Sequence, residues 1–407
     1  MNTRARAVVL GMGVNGLGVA RGLGEVGIRV TGVEVAGWAP EFYSRYCERL
    51  VCPSPDAEPE RVLELLLAEG KRLDRPAVLL PTSDAFVRFM SRHRDELRRW
   101  FLFALPPASV LEGLVDKWLQ YQMAERVGIP CPRTFHPASM AEAARIKNQI
   151  DYPAFLKPCV SHLWARVYGT KGFRIDGPTD LERRLAEIAP SGLDVIVQSI
   201  VPGPNTNHYL VRAYVDDSNR PLALFTQRKI RQYPTDFGQS TLLESVRAPD
   251  AAALGARLLE RLHYRGMASI EFKRDARTGK LALIELNPRL GLKTLLAVRC
   301  GVNLPLIAYL DLTGQKPAPV THYREGVRFV TPGKDFRAFL DYYRRGELGP
   351  LEWARSVMTA RVFPYFAWRD PLPFVMAVAG NLWRRLRHGP KQAWQAIRRR
   401  AARARVT

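Results

Sequence analysis

The first hundred residues leave little choice of fold, because strand and helix patterns alternate through them. Arg6–Leu10 is a short apolar run that ends in glycines. Asn15–Gly27 follows with Leu17, Ala20, Leu23 and Val26 at helical spacing. Ile28–Val35 is β-branched and alternating, which reads as a second strand. Pro59–Leu73 sets Val62, Leu65, Leu66 and Leu73 on one helical face. Ala77–Pro81 reads as a buried strand, Asp84–Trp100 as a helix and Phe101–Leu105 as a strand. Strand–helix–strand order calls for a parallel sheet covered on both faces. Pro106-Pro107 marks the end of this unit.

A helix is expected over Ala108–Val127, stopped by Gly128-Ile129-Pro130. From there to about Thr313 the pattern is mixed. Strands are expected at Ala154–Lys157, Asp194–Ser199, Tyr209–Val215, Leu222–Gln227, Met267–Phe272 and Leu281–Leu286, with helices near Ala138–Gln149, Thr179–Ile188 and Ala251–Leu262. This suggests an α+β region of two lobes. Beyond Gly314 the chain is proline-broken and aromatic. A length of 407 residues suits two to three domains. The five cysteines form no CxxC and no zinc spacing, which fits a reducing, cytoplasmic setting. The charged start followed by glycines reads as a strand and turn, not a signal peptide.

Gly11-Met12-Gly13-Val14-Asn15-Gly16 is a complete G-x-G-x-x-G between a strand and a helix, and Glu34 ends the next strand. That spacing matches a dinucleotide fingerprint, with Glu34 as the ribose-binding acid. It keeps an NAD-dependent oxidoreductase open as an alternative. Any tight strand-to-helix turn also favours such small residues.

Glu271 to Arg289 holds the densest chemistry. Ser269-Ile270-Glu271-Phe272 reads as one strand, Arg274–Gly279 as a turn, and Leu281–Arg289 as the returning strand. Period-two alternation sets Leu283, Glu285 and Asn287 on one face. Two carboxylates and one amide on paired strands make an all-oxygen site suited to magnesium; a pairing of Glu285 with Lys273 or Lys280 is the plainer reading. Lys157 ends a buried strand, where a lysine needs an anion such as phosphate. Gly169-Thr170-Lys171-Gly172 offers backbone N–H groups to phosphates.

This order of parts resembles the ATP-grasp superfamily from the first strand to about residue 315. It runs through Lys117, Lys157, the glycine loop, Gln198–Gly203, Glu271 and Glu285-x-Asn287-x-Arg289. Leu80-Pro81-Thr82-Ser83-Asp84 is similar to a segment of the family's N-terminal domains. The resemblance implies an α/β doubly wound domain over 1–107. A two-lobed α+β ATP-grasp domain would follow over 108–315, its smaller lobe about 130–200 and its larger lobe 201–315. A basic, partly helical extension would complete the chain over 316–407. It further implies an ATP-dependent carboxylate–amine (or thiol) ligase. Lys117, Lys157 and Lys171 would meet the ATP phosphates, Gln198 and the Val201 backbone the adenine, and Asn207 the ribose. Glu271, Glu285 and Asn287 would hold one or two Mg2+ ions, or Mn2+ in their place. Arg289 would face the acyl phosphate or acid substrate, and so would Arg228, Lys229 and Arg231. Phe237-Gly238-Gln239-Ser240 would belong to the substrate loop. One departure is Ser161-His162-Leu163-Trp164-Ala165, inserted before Gly169.

The net charge is +22, and nine of those charges follow Asp370 with no acidic residue among them. The rest still carries +13, which favours anionic ligands. A basic nucleic-acid binder is therefore a second alternative, although the core has no recognised nucleic-acid motif and no specific nucleic acid is expected. Pro371–Trp383 is apolar, too short to span a bilayer, and followed at once by arginines. Together with Gln392–Arg405 it suits the surface of an anionic membrane, as a peripheral contact on the inner face; packing on the protein body is the alternative. A homodimer is the commonest assembly for a chain of this kind.

Overall fold

Apolar runs too short for helices become the strands of the first sheet. The computed structural model describes residues 5–291 and 293–383. Strands β1 (Ala7–Leu10), β2 (Val30–Glu34), β3 (Cys47–Val51), β4 (Ala77–Pro81) and β5 (Phe101–Leu102) pair in parallel in the order β3-β2-β1-β4-β5. The central strands β1 and β4 are wholly buried, as their continuous apolar runs require. Sequence patterning missed β3, because this edge strand is partly exposed along its length and carries no apolar period. Two helices expected as continuous are each broken. Asp84–Arg92 and Arg94–Arg98 part at His93. Ala108–Val115 and Lys117–Arg126 part at Asp116, whose carboxylate turns back to cap Leu119 N at 3.0 Å.

The second sheet is antiparallel and small: β6 (Thr134–Phe135), β7 (Ala154–Pro158), β8 (Phe173–Ile175) and β9 (Val195–Ser199), in the order β6-β9-β7-β8. The inserted segment before Gly169 forms the helix Ser161–Tyr168, with Trp164 buried under this sheet.

The third sheet is the largest. It takes β10 (His208–Val215), β11 (Pro221–Tyr233), β12 (Gln239–Ser245), β13 (Gly266–Arg274), β14 (Leu281–Asn287), β15 (Arg328–Val330) and β16 (Ala360–Val362), in the order β14-β13-β10-β11-β12-β15-β16. The sheet does not stop at residue 315. β15 pairs antiparallel with β12, and β16 runs parallel to β15, so the aromatic segment beyond Gly314 builds onto the larger lobe.

Close helix packing joins this lobe to the first domain. A Cβ at Gly18 or Gly22 of the helix Gly13–Gly24 would press on Leu295 or Asn303, which belong to the helical segment 294–312. The chain then returns to the first domain. Arg21, fully buried, donates from Nε to Asp370 Oδ2 at 2.9 Å, and Ser44 Oγ donates to the same oxygen at 2.8 Å. The helix Leu372–Trp383 follows, with Gly380 seated against Trp38. The arginine-rich segment 384–407, including Gln392–Arg405, lies outside the described residues. Among the described residues no single helix is long and apolar enough to cross a membrane.

Candidate active site

A cavity of about 720 Å³ opens between the small sheet, the large sheet and the first domain. The carboxylates anticipated from the sequence meet there. Glu271 on β13 stands in register with Glu285 on β14, and Ser269 with Asn287, so the three predicted ligands face one space. Lys117 Nζ donates to Glu285 at 2.6 Å, and Lys229 Nζ to Glu271 at 2.8 Å. His208 Nδ1 lies 2.8 Å from the same Glu271 oxygen. Burial alone would push both carboxyls up, but the cations override it. Lys117 holds Glu285 down at about 2, and Lys229 with His208 holds Glu271 well below the usual carboxylate range. Burial and the nearby Lys229 push His208 down to about 4.

Among the described residues no group of three His, Cys, Asp or Glu side chains converges. Two ionised carboxylates and an amide nevertheless make an oxygen-only set. That set fits a hard divalent cation whose remaining ligands are phosphate and water.

Lys157 is the next element. It ends β7, is buried, and donates to Tyr121 Oη at 2.7 Å and Gln198 Oε1 at 2.9 Å. Neither partner carries charge. Burial, reinforced by repulsion from Lys117, lowers this ammonium to about 7. A buried cation with only neutral partners is prepared for an anion. Lys171 also lines the cavity and donates to Gly238 O at 3.3 Å. Nearby, Phe237 stacks on Phe155 of β7 with ring centroids 3.9 Å apart, so the loop 234–238 of the large lobe rests on the small one. Arg289 reaches the cavity and holds Asp84 through Nε at 2.6 Å and Nη2 at 2.9 Å, which gives the Leu80–Asp84 segment a physical place.

Four expected residues stand elsewhere or serve otherwise. Arg228 points to the opposite face of β11 from Lys229 and donates to Glu244 at 3.1 Å. Arg231 would share the face of Lys229 by simple alternation. An irregularity at Ile230 pairs Lys229 with Leu243 but Arg231 with Leu242, so Arg231 turns away from the cavity. There it meets the fully buried Asp335 at 3.1 and 2.7 Å. Asn207 is spent on Arg274 O at 3.0 Å, while its neighbours Asn205 and His208 line the cavity. Gln198 lines the cavity, but its amide is committed to Lys157 and, through Nε2, to Thr134 Oγ1 at 2.8 Å. It positions the lysine, which leaves the Ile200–Val201 segment as the wall available to a base.

The glycine turn serves its own chain. Glu34 accepts from Met12 N and Val35 N, each at 2.8 Å, and so does not point to a ribose. Asn15 donates to Leu290 O at 2.7 Å and Thr82 O at 3.2 Å, and a Cβ at Gly16 would lie 2.5 Å from Gly11 O.

No protein-family model matches the chain. It is 25% identical over 357 residues to the D-aspartate ligase of Enterococcus faecium, covering 84% of this chain and 85% of that one. Its fold resembles the biotin carboxylase domain of Hydrogenobacter thermophilus 2-oxoglutarate carboxylase, solved with MgADP and bicarbonate. The TM-score there is 0.63 at 18% identity, covering 80% of this chain and 74% of that one. It also resembles an L-amino acid ligase from Bacillus licheniformis, with a TM-score of 0.59 at 13% identity over 77% and 75% of the two chains.

Proposed function

We propose, taking the chain as an ATP-grasp ligase, that it activates a carboxylate with ATP as an acyl phosphate and couples the acyl group to an amine. The observation that carries this reading is the in-register pair Glu271 and Glu285, both held ionised, beside the unmatched cation Lys157. Its likeness to ligases of amino acids favours an amine over a thiol.

Glu271, Glu285 and Asn287 would hold one or two divalent cations, magnesium or manganese, which supply charge compensation where phosphate and carboxylate meet. Lys157, Lys117 and Lys171 bind and orient the phosphates. The 200–201 segment holds the adenine. Arg289 and Lys229 face the acid. One carboxylate oxygen attacks the γ-phosphorus, the bond to the bridging oxygen breaks, and ADP leaves with that electron pair. The amine nitrogen then attacks the acyl carbon, inorganic phosphate departs, and the amine proton passes to solvent. Phe155 and the 237–240 loop keep water from the acyl phosphate.

The test is a screen of acids and amines with ATP and magnesium, read as phosphate release. An acid–amine pair should release phosphate, and Glu285→Gln should lower that rate by about a thousandfold or more while the melting temperature holds. Near-normal release by Glu285→Gln would sink the assignment.

We further propose that the chain's end docks on an anionic lipid surface. In the helix Leu372–Trp383 the exposed side chains include Leu372, Phe374, Val375, Val378 and Leu382, and Trp368 beside it is 88% exposed. Nine Arg and Lys residues follow in sequence, so apolar face and basic flank suit the same partner.

A further inference from the structure

The cavity holds more positive charge than its own carboxylates use. Ten basic side chains and five carboxylates line it. Lys117, Lys229, Arg289 and Arg345 each have a carboxylate partner. The charge of a nucleoside triphosphate is largely offset by the divalent cations bound with it, so the nucleotide does not absorb the surplus. Lys157 and Lys171 stand by the small-lobe sheet, where the phosphates are placed. Arg174 pairs with Asp176, and Lys273 stands at the His208 end of the large sheet, on the side of the 200–201 segment. Arg212 and Lys293 remain.

These two lie together past the carboxylate pair. Along β10, Leu210 is in register with Glu271 and Arg212 with Ser269, which itself pairs with Asn287. Arg212 is therefore one pleat repeat, about 7 Å, beyond the carboxylate row, moving away from the 200–201 segment. The chain leaving β14 reaches the same place through Arg289 and Gly291 to Lys293. Gly291 lies directly on the Arg212 guanidinium, and a Cβ there would overlap Nη1. Arg212 is 5% exposed. Its Nε and Nη2 are satisfied by the Gln227 amide oxygen at 3.1 and 3.2 Å, with the amide turned to suit both. Lys293 Nζ lies 5.6 Å from the centre of the Phe329 ring. Burial lowers this ammonium to about 7, and Lys334, Arg212, Lys229 and Lys171 add repulsion. Among the described residues neither cation has an ion-pair partner.

We propose that Arg212 and Lys293 form a second anion subsite, which takes a non-reacting carboxylate or phosphoryl group of the acid substrate. The acid activated here then carries at least two anionic groups, one at Arg289 and Lys229 and one at Arg212 and Lys293. This inference rests on the ligase reading above.

Hydroxylamine serves as a general nucleophile for the test. It attacks the acyl carbon, expels phosphate and leaves a hydroxamate. The full-length protein is assayed with ATP and magnesium on propionate, butyrate and valerate, on succinate, glutarate and aspartate, and on 3-phosphonopropionate. The best dianionic acid should exceed the monoacid of equal length by about 100-fold in kcat/KM, because an empty subsite leaves buried cations unpaired. Preference for the phosphonate assigns the subsite to phosphoryl groups, and preference for a diacid assigns it to carboxylates. Lys293→Met should collapse the preference by about tenfold or more through KM, and Lys293→Arg should restore most of it. Equal use of mono- and dianionic acids, an intact preference in Lys293→Met, or no acid activated by protein that binds MgADP in calorimetry would each overturn the subsite. Loss of MgADP binding itself would instead strike the ligase reading.

Discussion

Lys157 shows how one residue links burial to function. Its ammonium sits near 7 because burial disfavours the charge and Lys117 repels it. A bound phosphate favours the charged form, so nucleotide binding should take up a proton. ADP affinity is expected to fall as pH rises from 7 to 8.5, approaching tenfold per unit, with up to one proton taken up in calorimetry across buffers of different ionisation enthalpy. Lys157→Met should weaken ADP binding about tenfold at pH 7 and flatten that dependence. The nucleotide-free protein should melt no lower, since a buried cation with neutral partners is removed. An unchanged affinity would show that the lysine serves something else. This residue was legible in the sequence because a lysine closing an apolar strand stands out. Arg212 obeys the same rule inside Tyr209–Val215, and pattern reading passed over it because the strand looked complete without it. Lys293 carried no such signal. Its placement depends on Gly291 meeting Arg212, which only the fold reveals.

At the scale of elements, alternation set Glu285 and Asn287 on one face of β14, and both line the cavity. Leu283, expected beside them, is turned into the core by an irregularity before Glu285, and alternation failed again on β11. One irregularity at Ile230 converts Arg231 from a cavity residue into half of a buried clamp. Asp335, at the start of the helix Pro332–Arg344, accepts from Arg231, from Thr241 Oγ1 at 2.7 Å and from Trp353 Nε1 at 3.0 Å. That one carboxylate fastens the segment beyond Gly314 to the large sheet. Asp335→Ala should cost roughly 3–5 kcal/mol in urea unfolding, because it strands the buried Arg231. A loss under about 1 kcal/mol would mean the segment is held chiefly by strand pairing. Sequence patterning saw this region only as proline-broken and aromatic. Its two strands have three residues each, too few to show a period. The breaks at His93 and Asp116 escaped for a related reason: the apolar face continues across both, and only the cap geometry interrupts the helix.

In the whole molecule the exposed apolar helix Leu372–Trp383 lies against Trp38 of the first domain, and nine Arg and Lys residues follow it in sequence. The full chain should sediment with liposomes containing anionic lipid at low salt, and a chain ending after Asp370 should sediment far less. Equal pelleting of the two, or none of either, would remove the membrane from the account. The doubly wound sheet and the two lobes were readable from alternation and turn residues. How they close was not, because the joining contacts pair residues hundreds of positions apart. The pair Arg21 and Asp370 spans 349 positions. During synthesis the helix Gly13–Gly24 is made long before the carboxylate that neutralises Arg21, and the Pro364 and Tyr365 carbonyls that also receive the guanidinium come equally late. A chain held on the ribosome before Pro364 should therefore leave Arg21 open to solvent, so the first domain is expected to gain its last contacts only when the segment 364–370 arrives.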